Sequence, residues 1–340
     1  MINGSLRPWG NPKWLLQTKA LRNEQWLLIG ALSTQDRCLS MLRHSGSSFA
    51  LSHAAFLKII DKQSVFHIQS DARREANSLL WRAYVSGYSH ELLEFELLDP
   101  VRRLQKLVDQ WTTGEHKKSV ILDVTCLPER YFFPMLRWLI NSVDVENLIV
   151  TYMSPERYTE EDLAYDPEDW AYFQTFGPSA EEPEKSIRRV IVGAGFLPFS
   201  LPELLKKDYN LSSIEVSVLF PFPASPANIK RSWEFVRKIE VDLKLQDERQ
   251  LARIGANDLS GCFDRIDSIT RHGSIGTVFA PYGPKAHSIA MCLQAIKMNA
   301  QVFYTQPTYY HPEYTTGIKL DDGVPAGFAY AVRVNGRSLY

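Results

Sequence analysis

The sequence predicts an α/β fold with a mainly parallel sheet and helices on both faces. Three observations predict it. Residues 119–158 open with an unbroken apolar run, Val120-Ile121-Leu122, and pass through a polar loop, Asp123-Val124-Thr125-Cys126. An amphipathic stretch over 129–140 then leads to a second apolar run, Leu148-Ile149-Val150. Continuous apolar, β-branched runs joined by a helix mark parallel strands buried on both faces. The same phrase returns late in the chain: Thr277-Val278-Phe279-Ala280, a loop Pro281-Tyr282-Gly283-Pro284-Lys285, a helix over 287–298 and a strand over 301–305. Between them, further short apolar runs alternate with helical patterns. The arrangement is Rossmann-like, and the repeated phrase allows two similar lobes. Topology alone imposes a likeness on any two strand-helix-strand units.

In order along the chain, residues 1–24 read as a loosely held arm with Trp9 and Trp14 as docking points. Trp26-Leu27-Leu28-Ile29-Gly30 is the first strand, and a helix follows over 35–43 with Ser33 or Thr34 as its cap. Asp36 and Arg37 fall in its first turn, where they read as capping and solvation or as part of an anion site at a helix N-terminus. No GxGxxG follows Gly30. Residues 65–69 read as a second strand, 72–84 as a helix with Ala76, Leu79, Leu80 and Ala83 on one face, and 92–97 as a third strand buried on both faces. Asp99-Pro100 opens another helix as cap and first helical residue, ending near 113–114.

Residues 153–186 interrupt the rhythm. Glu156, Glu160, Glu161, Asp162, Asp166, Glu168, Asp169, Glu181, Glu182 and Glu184 are interleaved there with Tyr165, Trp170, Tyr172, Phe173 and Phe176. The stretch reads as a solvated acidic insertion, or as a lid that docks a protein partner. Strands resume over 189–192 and 214–220, helices over 228–237, 246–254 and 261–270, and 328–334 closes the sheet as an antiparallel edge strand. Gly195 marks a turn before Pro198 and Pro202. The organisation expected is an arm (1–24), a first lobe (25–152), an acidic insertion or lid (153–186) and a second lobe (187–340).

Composition narrows the classes. A chain of 340 residues with net charge -1 gives no support for non-specific nucleic-acid binding or a charged membrane surface. The four cysteines, Cys38, Cys126, Cys262 and Cys292, form no CxxC pair, so neither a disulfide framework nor a structural metal site is expected. The N-terminal MINGSLRPWGNPK lacks a signal peptide's apolar core, and no run reaches the roughly 20 apolar residues of a membrane span. A cytoplasmic protein is expected, with no membrane contact and no cofactor implied by a motif.

The loops leaving the carboxyl ends of parallel strands are where such sheets bind ligands. On one, Asp123 is a carboxylate at the end of a buried strand, suited to a ribose hydroxyl, to proton transfer or to capping the next helix. Thr125 shares that position, with Thr151, Tyr152 and Tyr158 at the neighbouring strand end. On the other, Gly283 allows close backbone approach to a ligand, and Lys285 at a helix start suits a phosphate. Ser288, Tyr282, Tyr304, Thr305, Tyr309, Tyr310 and Tyr314 complete the set, the tyrosines as stacking faces. His287 and His311 are candidate general bases, and Cys126 a nucleophile only beside a base.

Asp123-Val124-Thr125 at a strand end resembles the Asp-x-Thr of the CRISPR-associated Rossmann-fold (CARF/SAVED-like) sensors of bacterial anti-phage systems. Pro281-Tyr282-Gly283-Pro284-Lys285 resembles second-half loops of the fused, two-lobed members. The family continues with Gly-Gly-Thr-Lys where this chain has Cys126-Leu127-Pro128-Glu129. The resemblance implies a bacterial antiviral-defence sensor of cyclic oligonucleotides. Three readings follow: a sensor of a nucleotide or other phosphorylated small molecule, a hydrolase or transferase using Asp123, Lys285 and His287, and a structural subunit of a defence complex.

Overall fold

The computed structural model describes residues 6–113, 118–177, 187–199, 201, 214–222, 226–243 and 250–340. In chain order it begins with β1 (Trp9–Gly10), α1 (Pro12–Leu16), β2 (Gln25–Leu32), α2 (Ser40–His44), β3 (Ala50–Ile60), α3 (His67–Val85), β4 (Ser89–Glu96), α4 (Arg102–Thr112), β5 (Ser119–Asp123), α5 (Glu129–Asn141) and β6 (Asn147–Met153). Short strands β7 (Arg157–Tyr158), β8 (Ala164–Pro167) and β9 (Ala171–Tyr172) lead to β10 (Arg189–Gly193), β11 (Glu215–Pro221), α6 (Pro226–Leu243), β12 (Leu251–Ile254), α7 (Leu259–Ile269), β13 (Thr277–Pro281), α8 (Lys285–Met298) and β14 (Gln301–Tyr304). The chain closes with β15 (Pro307–Tyr310), β16 (Thr315–Thr316), β17 (Leu320–Asp321), β18 (Val324–Pro325), β19 (Gly327–Val334) and β20 (Arg337–Ser338).

Two units result, Met1–Asp166 with Pro307–Tyr340, and Pro167–Gln306. The first unit's sheet runs β1-β19-β6-β5-β2-β3-β4, with β20 beside β19. Its strands β2 to β6 are all parallel to their neighbours in that set. The second unit's sheet runs β12-β11-β10-β13-β14, all parallel, with β9 antiparallel on β14. Counted along the chain, each set of five parallel strands lies in the order 3-2-1-4-5. That is the doubly wound order whose ligand crevice lies where the first and fourth strands separate, at their carboxyl ends. In the first unit that place is the end of β2 and β5. In the second it is the end of β10 and β13.

Burial on both faces explains why these runs are strands. Every residue of β5 and of β6 is buried. Leu28, Ile121 and Ile149 pack with Trp26, Leu42, Phe56 and Trp81 on one face. Leu27, Ile29, Val120, Leu122 and Val150 alternate with them and are equally buried. In α5, Tyr131, Phe132, Met135, Leu136 and Leu139 are fully buried. Each such side chain contributes about 1.5–3 kcal/mol relative to exposure.

Several sequence expectations need correction. Residues 65–69 form no strand; α3 starts at His67, and the second strand is β3, upstream. Residues 35–43 split into a 3-10 turn, Asp36–Leu39, and the short α2. Asp99 does not cap α4, whose cap position is Val101; its carboxylate instead accepts from the Glu96 N–H at 3.0 Å. The strand β4 lies at the sheet edge with Leu92 and Leu93 only half-buried, because one of its sides has no neighbouring strand. Residues 251–254 are the strand β12 and not helix, since parallel pairing with β11 supplies their partners; 246–249 lie outside the described residues.

Two boundaries also move. Residues 307–340 belong with the first unit, where the sequence suggests one lobe over 187–340. The strand β19 pairs antiparallel with β6, and β1 covers its other side, so it is interior. The N-terminal arm is docked over its described part: Trp9 stacks on Tyr330 at 6.0 Å, and Leu15, Leu16 and Leu21 are buried, while Trp14 is 78% exposed. The described part of 153–186 is integrated, not a free lid. Its β7 pairs with β16, β8 with β15 and β9 with β14, and Phe173 and Phe176 are buried. Glu181, Glu182, Glu184, Pro202 and Gly114 lie outside the described residues. Among the described residues, no helix is long and apolar enough to cross a membrane.

Candidate functional site

The first unit gathers polar side chains at the carboxyl ends of β2, β5 and β6. Asp123 is the last residue of β5, and three donors converge on its Oδ1: the Thr125 N–H at 3.1 Å, the Thr151 hydroxyl at 3.3 Å and the Thr125 hydroxyl. The Thr125 oxygen in turn accepts from the Met153 N–H at 2.9 Å. This network fixes the β5 loop to the end of β6. Asp123 is 2% exposed, and burial pushes its carboxyl up to about 6 against the pull of those hydrogen bonds.

Beside it lies a residue that the sequence reads either as solvated in a helix's first turn or as part of an anion site. Arg37 is 3% exposed. Its Nη1 donates to the Met153 carbonyl at 2.7 Å, its Nη2 to the Gln35 amide oxygen at 2.9 Å, and its Nε to Gln35 and to Thr315 Oγ1 at 3.1 and 3.3 Å. The guanidinium lies 5.3 Å from the Tyr152 ring centre. Burial by itself lowers its pKa, and Tyr152, Cys126 and Tyr158 outweigh that. These acceptors are neutral, and among the described residues no carboxylate lies within ion-pair distance of it, though its charge acts on the buried Asp123 carboxyl from farther off. Buried arginines are ordinarily matched by an anion. The 3-10 turn after β2 aims Arg37 inward because Ser33 Oγ accepts from the Gln35 N–H at 3.1 Å, while Asn77 in α3 donates to the Ser33 carbonyl at 2.8 Å.

Tyrosines rim this cluster. The Tyr152 and Tyr158 hydroxyls are 3.2 Å apart, and Tyr158 meets Tyr314 edge-on at 6.1 Å, as Tyr314 meets Tyr310 at 5.9 Å. Burial raises the Tyr158 hydroxyl well above its ordinary pKa. Thr315 donates to Gln35 at 2.7 Å, and Gly317, at φ +68°, donates its N–H to Asp36 at 3.1 Å. Cys126 is partly exposed, and burial raises the thiol of the enclosed Cys38. Of the predicted residues, Asp123, Thr125 and Tyr152 thus come together in the first unit. Arg37, which the sequence offers as part of an anion site, joins them, and Gln35 and Thr315 do so unforeseen. The signal for Arg37 was its place in the first turn after the first parallel strand.

Tyr282, Gly283, Lys285, Ser288, Tyr304 and Thr305 all belong to the second unit, at the carboxyl ends of β13 and β14. The Tyr282 hydroxyl and Thr305 Oγ1 are 2.9 Å apart, and the rings of Tyr282 and Tyr304 are 5.4 Å apart. Gly283 faces protein backbone: a Cβ there would meet Ala194 O at 3.3 Å. A Cβ at Gly195 would overlap the Tyr282 carbonyl, so these glycines let two loops touch at the second switch point. Lys285 is the first residue of α8 and is half-buried, with Pro284 at the cap position. Ser288 is fully buried.

The two histidines are engaged inside the fold. His287 is fully buried, its Nε2 is 3.0 Å from the Gly255 carbonyl, and burial lowers its pKa to about 4. His311, in the first unit, accepts from the Glu313 N–H at 3.0 Å, lies 3.2 Å from Glu161 and packs against Phe66. Among the described residues, no group of three or more His, Cys, Asp or Glu side chains gathers for a metal ion.

No family model matches the chain, and no curated protein matches it. Among solved structures, the ketoreductase PlmKR1, from the first module of phoslactomycin biosynthesis in Streptomyces sp. HK803, aligns at 10% identity with a TM-score of 0.21. The alignment covers 86% of this chain and 69% of that one. A likeness at that level supports neither a fold nor an activity.

Proposed function

We propose that the protein senses a nucleotide or other phosphorylated small molecule at the switch point of its first unit, with Arg37 as the anion anchor. The observation that carries this reading is a buried arginine, held only by neutral acceptors, at the place where this strand order binds ligands. Thr125 and Tyr152 contact the ligand, and the rings of Tyr158 and Tyr314 offer stacking faces for a base. Asp123 orders the β5 loop through Thr125 and Thr151. The Asp-x-Thr at the same strand end supports a cyclic oligonucleotide as ligand and a setting in anti-phage defence. A second reading has one observation in its favour: a carboxyl at about 6 suits general acid–base work in a hydrolase or transferase.

Calorimetric titration with mononucleotides and cyclic oligonucleotides, with product analysis alongside, tests both. Arg37→Met removes a charge-assisted hydrogen bond to the ligand, which costs about 1.5–3 kcal/mol, or one to two decades of affinity. Arg37→Lys restores the charge without the fork and recovers part of it. The sensor reading expects binding without product. Turnover that disappears in Asp123→Asn favours the enzyme, and equal binding by wild type and a folded Arg37→Met removes the anchor.

A further inference from the structure

The helix α3 is amphipathic in the reverse sense. Its buried residues are Ser70, Arg74, Asn77, Ser78, Trp81 and Val85. Two of the polar ones bond to the fold beneath the helix, Arg74 pairing with Asp61 at 2.5 Å and Asn77 donating to Ser33 O, while Ser78 donates to Arg74 O of its own helix at 2.8 Å. The outward side carries Ile68 at 75% exposure, Leu79 at 58% and Leu80 at 44%, with Ala72, Ala76 and Ala83 exposed among them. At 100° per residue these six fall within an arc of about 120°, the width of a core-facing stripe. From Ile68 to Ala83 that stripe is roughly 24 Å long. A sequence that places its polar residues inward and its apolar ones in water is written for a surface that becomes covered.

The flanking charges say by what. Asp71, Glu75 and Arg82 lie along one flank of the stripe and are exposed, acidic in the N-terminal half and basic in the C-terminal half. In an antiparallel pair of identical helices, equivalent flanks face each other, so with the axis near Ala76 Asp71 of one copy meets Arg82 of the other. Small Ala76 then sits at the centre against its own equivalent, and Leu79 and Leu80 cover Ala72 of the opposite helix. The opposed helix dipoles favour the same arrangement. We propose that α3 is a self-docking surface through which two copies of this chain pair, antiparallel about a two-fold axis near Ala76. A C2 interface needs this self-complementarity. A single helix pair buries less than the roughly 1,200–2,000 Å² of a standard interface, so the dimer is weak and concentration-dependent.

Sedimentation analysis across concentration, together with cysteine cross-linking, tests it. Wild type is expected to shift from monomer to dimer in the micromolar range. Ala76→Arg, at an exposed position, and Arg82→Glu are each expected to weaken the dimer at least tenfold without changing the melting temperature. Ala76→Cys is expected to cross-link to itself under diamide, which takes up the two thiol hydrogens as the disulfide forms. Ile68→Cys is not, because its equivalents lie about 25 Å apart in this register. A wild-type chain that stays monomeric to about 1 mM overturns the proposal. So does a dimer indifferent to Ala76→Arg, or one that cross-links through Ile68→Cys and not Ala76→Cys.

Discussion

Asp123 shows how one buried carboxyl links the site to stability. Its pKa rises from an ordinary 3.8 to about 6 in the folded chain because burial outweighs the donors from Thr125 and Thr151. A group whose folded pKa is raised binds its proton more tightly when folded, so its contribution is fully present below pH 3.8 and is lost as pH climbs through 6. The loss is on the order of 2–3 kcal/mol across that window. Asp123→Asn keeps an oxygen for Thr125 and cannot ionise. Its stability relative to wild type is expected to improve between pH 4 and 7, read from urea midpoints at each pH; a constant difference would show that Asp123 does not titrate there. Asp123 and Thr125 are legible in the sequence because a polar pair directly after a buried apolar run has few other places to be. Arg37 is legible only as one of two alternatives, and its burial is not, because a charged residue in a first helical turn usually faces water. Only the 3-10 turn fixed by Ser33, together with Met153 and Thr315 from distant segments, turns it inward.

At the scale of elements, legibility follows burial on both faces. The strands β5, β6, β13 and β14 read directly, since continuous apolar runs flanked by loops have one interpretation. The strand β3 is hidden because Ala50, Ser52, His53, Ala54 and Ala55 favour no strand by themselves; pairing on both sides by β2 and β4 decides it. The helix α3 is visible in the pattern, which groups Ala76, Leu79, Leu80 and Ala83 on one face without saying where that face points, and Arg74, Asn77 and Trp81 on the inward side turn it to solvent. Glycine carries a sharper signal than a turn alone. Gly195 reads as a turn in the sequence, and the structure adds that its bare Cα admits the Tyr282 carbonyl. Gly195→Ala is therefore expected to destabilise the second unit at the upper end of the roughly 1–3 kcal/mol that overpacking costs. Thermal unfolding followed by near-ultraviolet circular dichroism reads this directly, and an unchanged transition would mean the two loops do not touch.

Across the whole molecule, the same strand order occurs in both units, and each places its polar loops at a switch point. The return of residues 307–340 to the first sheet is not readable from sequence, because alternation can mark β19 as antiparallel without naming its neighbour. The near-zero net charge fits a small anionic ligand bound by one buried guanidinium better than a polyanion held by a basic surface. Arg37 in the first unit and Lys285 in the second are rival candidates for the proposed anchor, and one measurement separates them. Native mass spectrometry of the protein purified from its own host, as wild type, Arg37→Met and Lys285→Ala, weighs what each retains. A phosphorus-bearing small molecule is expected on wild type, kept by Lys285→Ala and lost from a folded Arg37→Met. A ligand that stays on Arg37→Met as fully as on wild type would contradict Arg37 as the anchor.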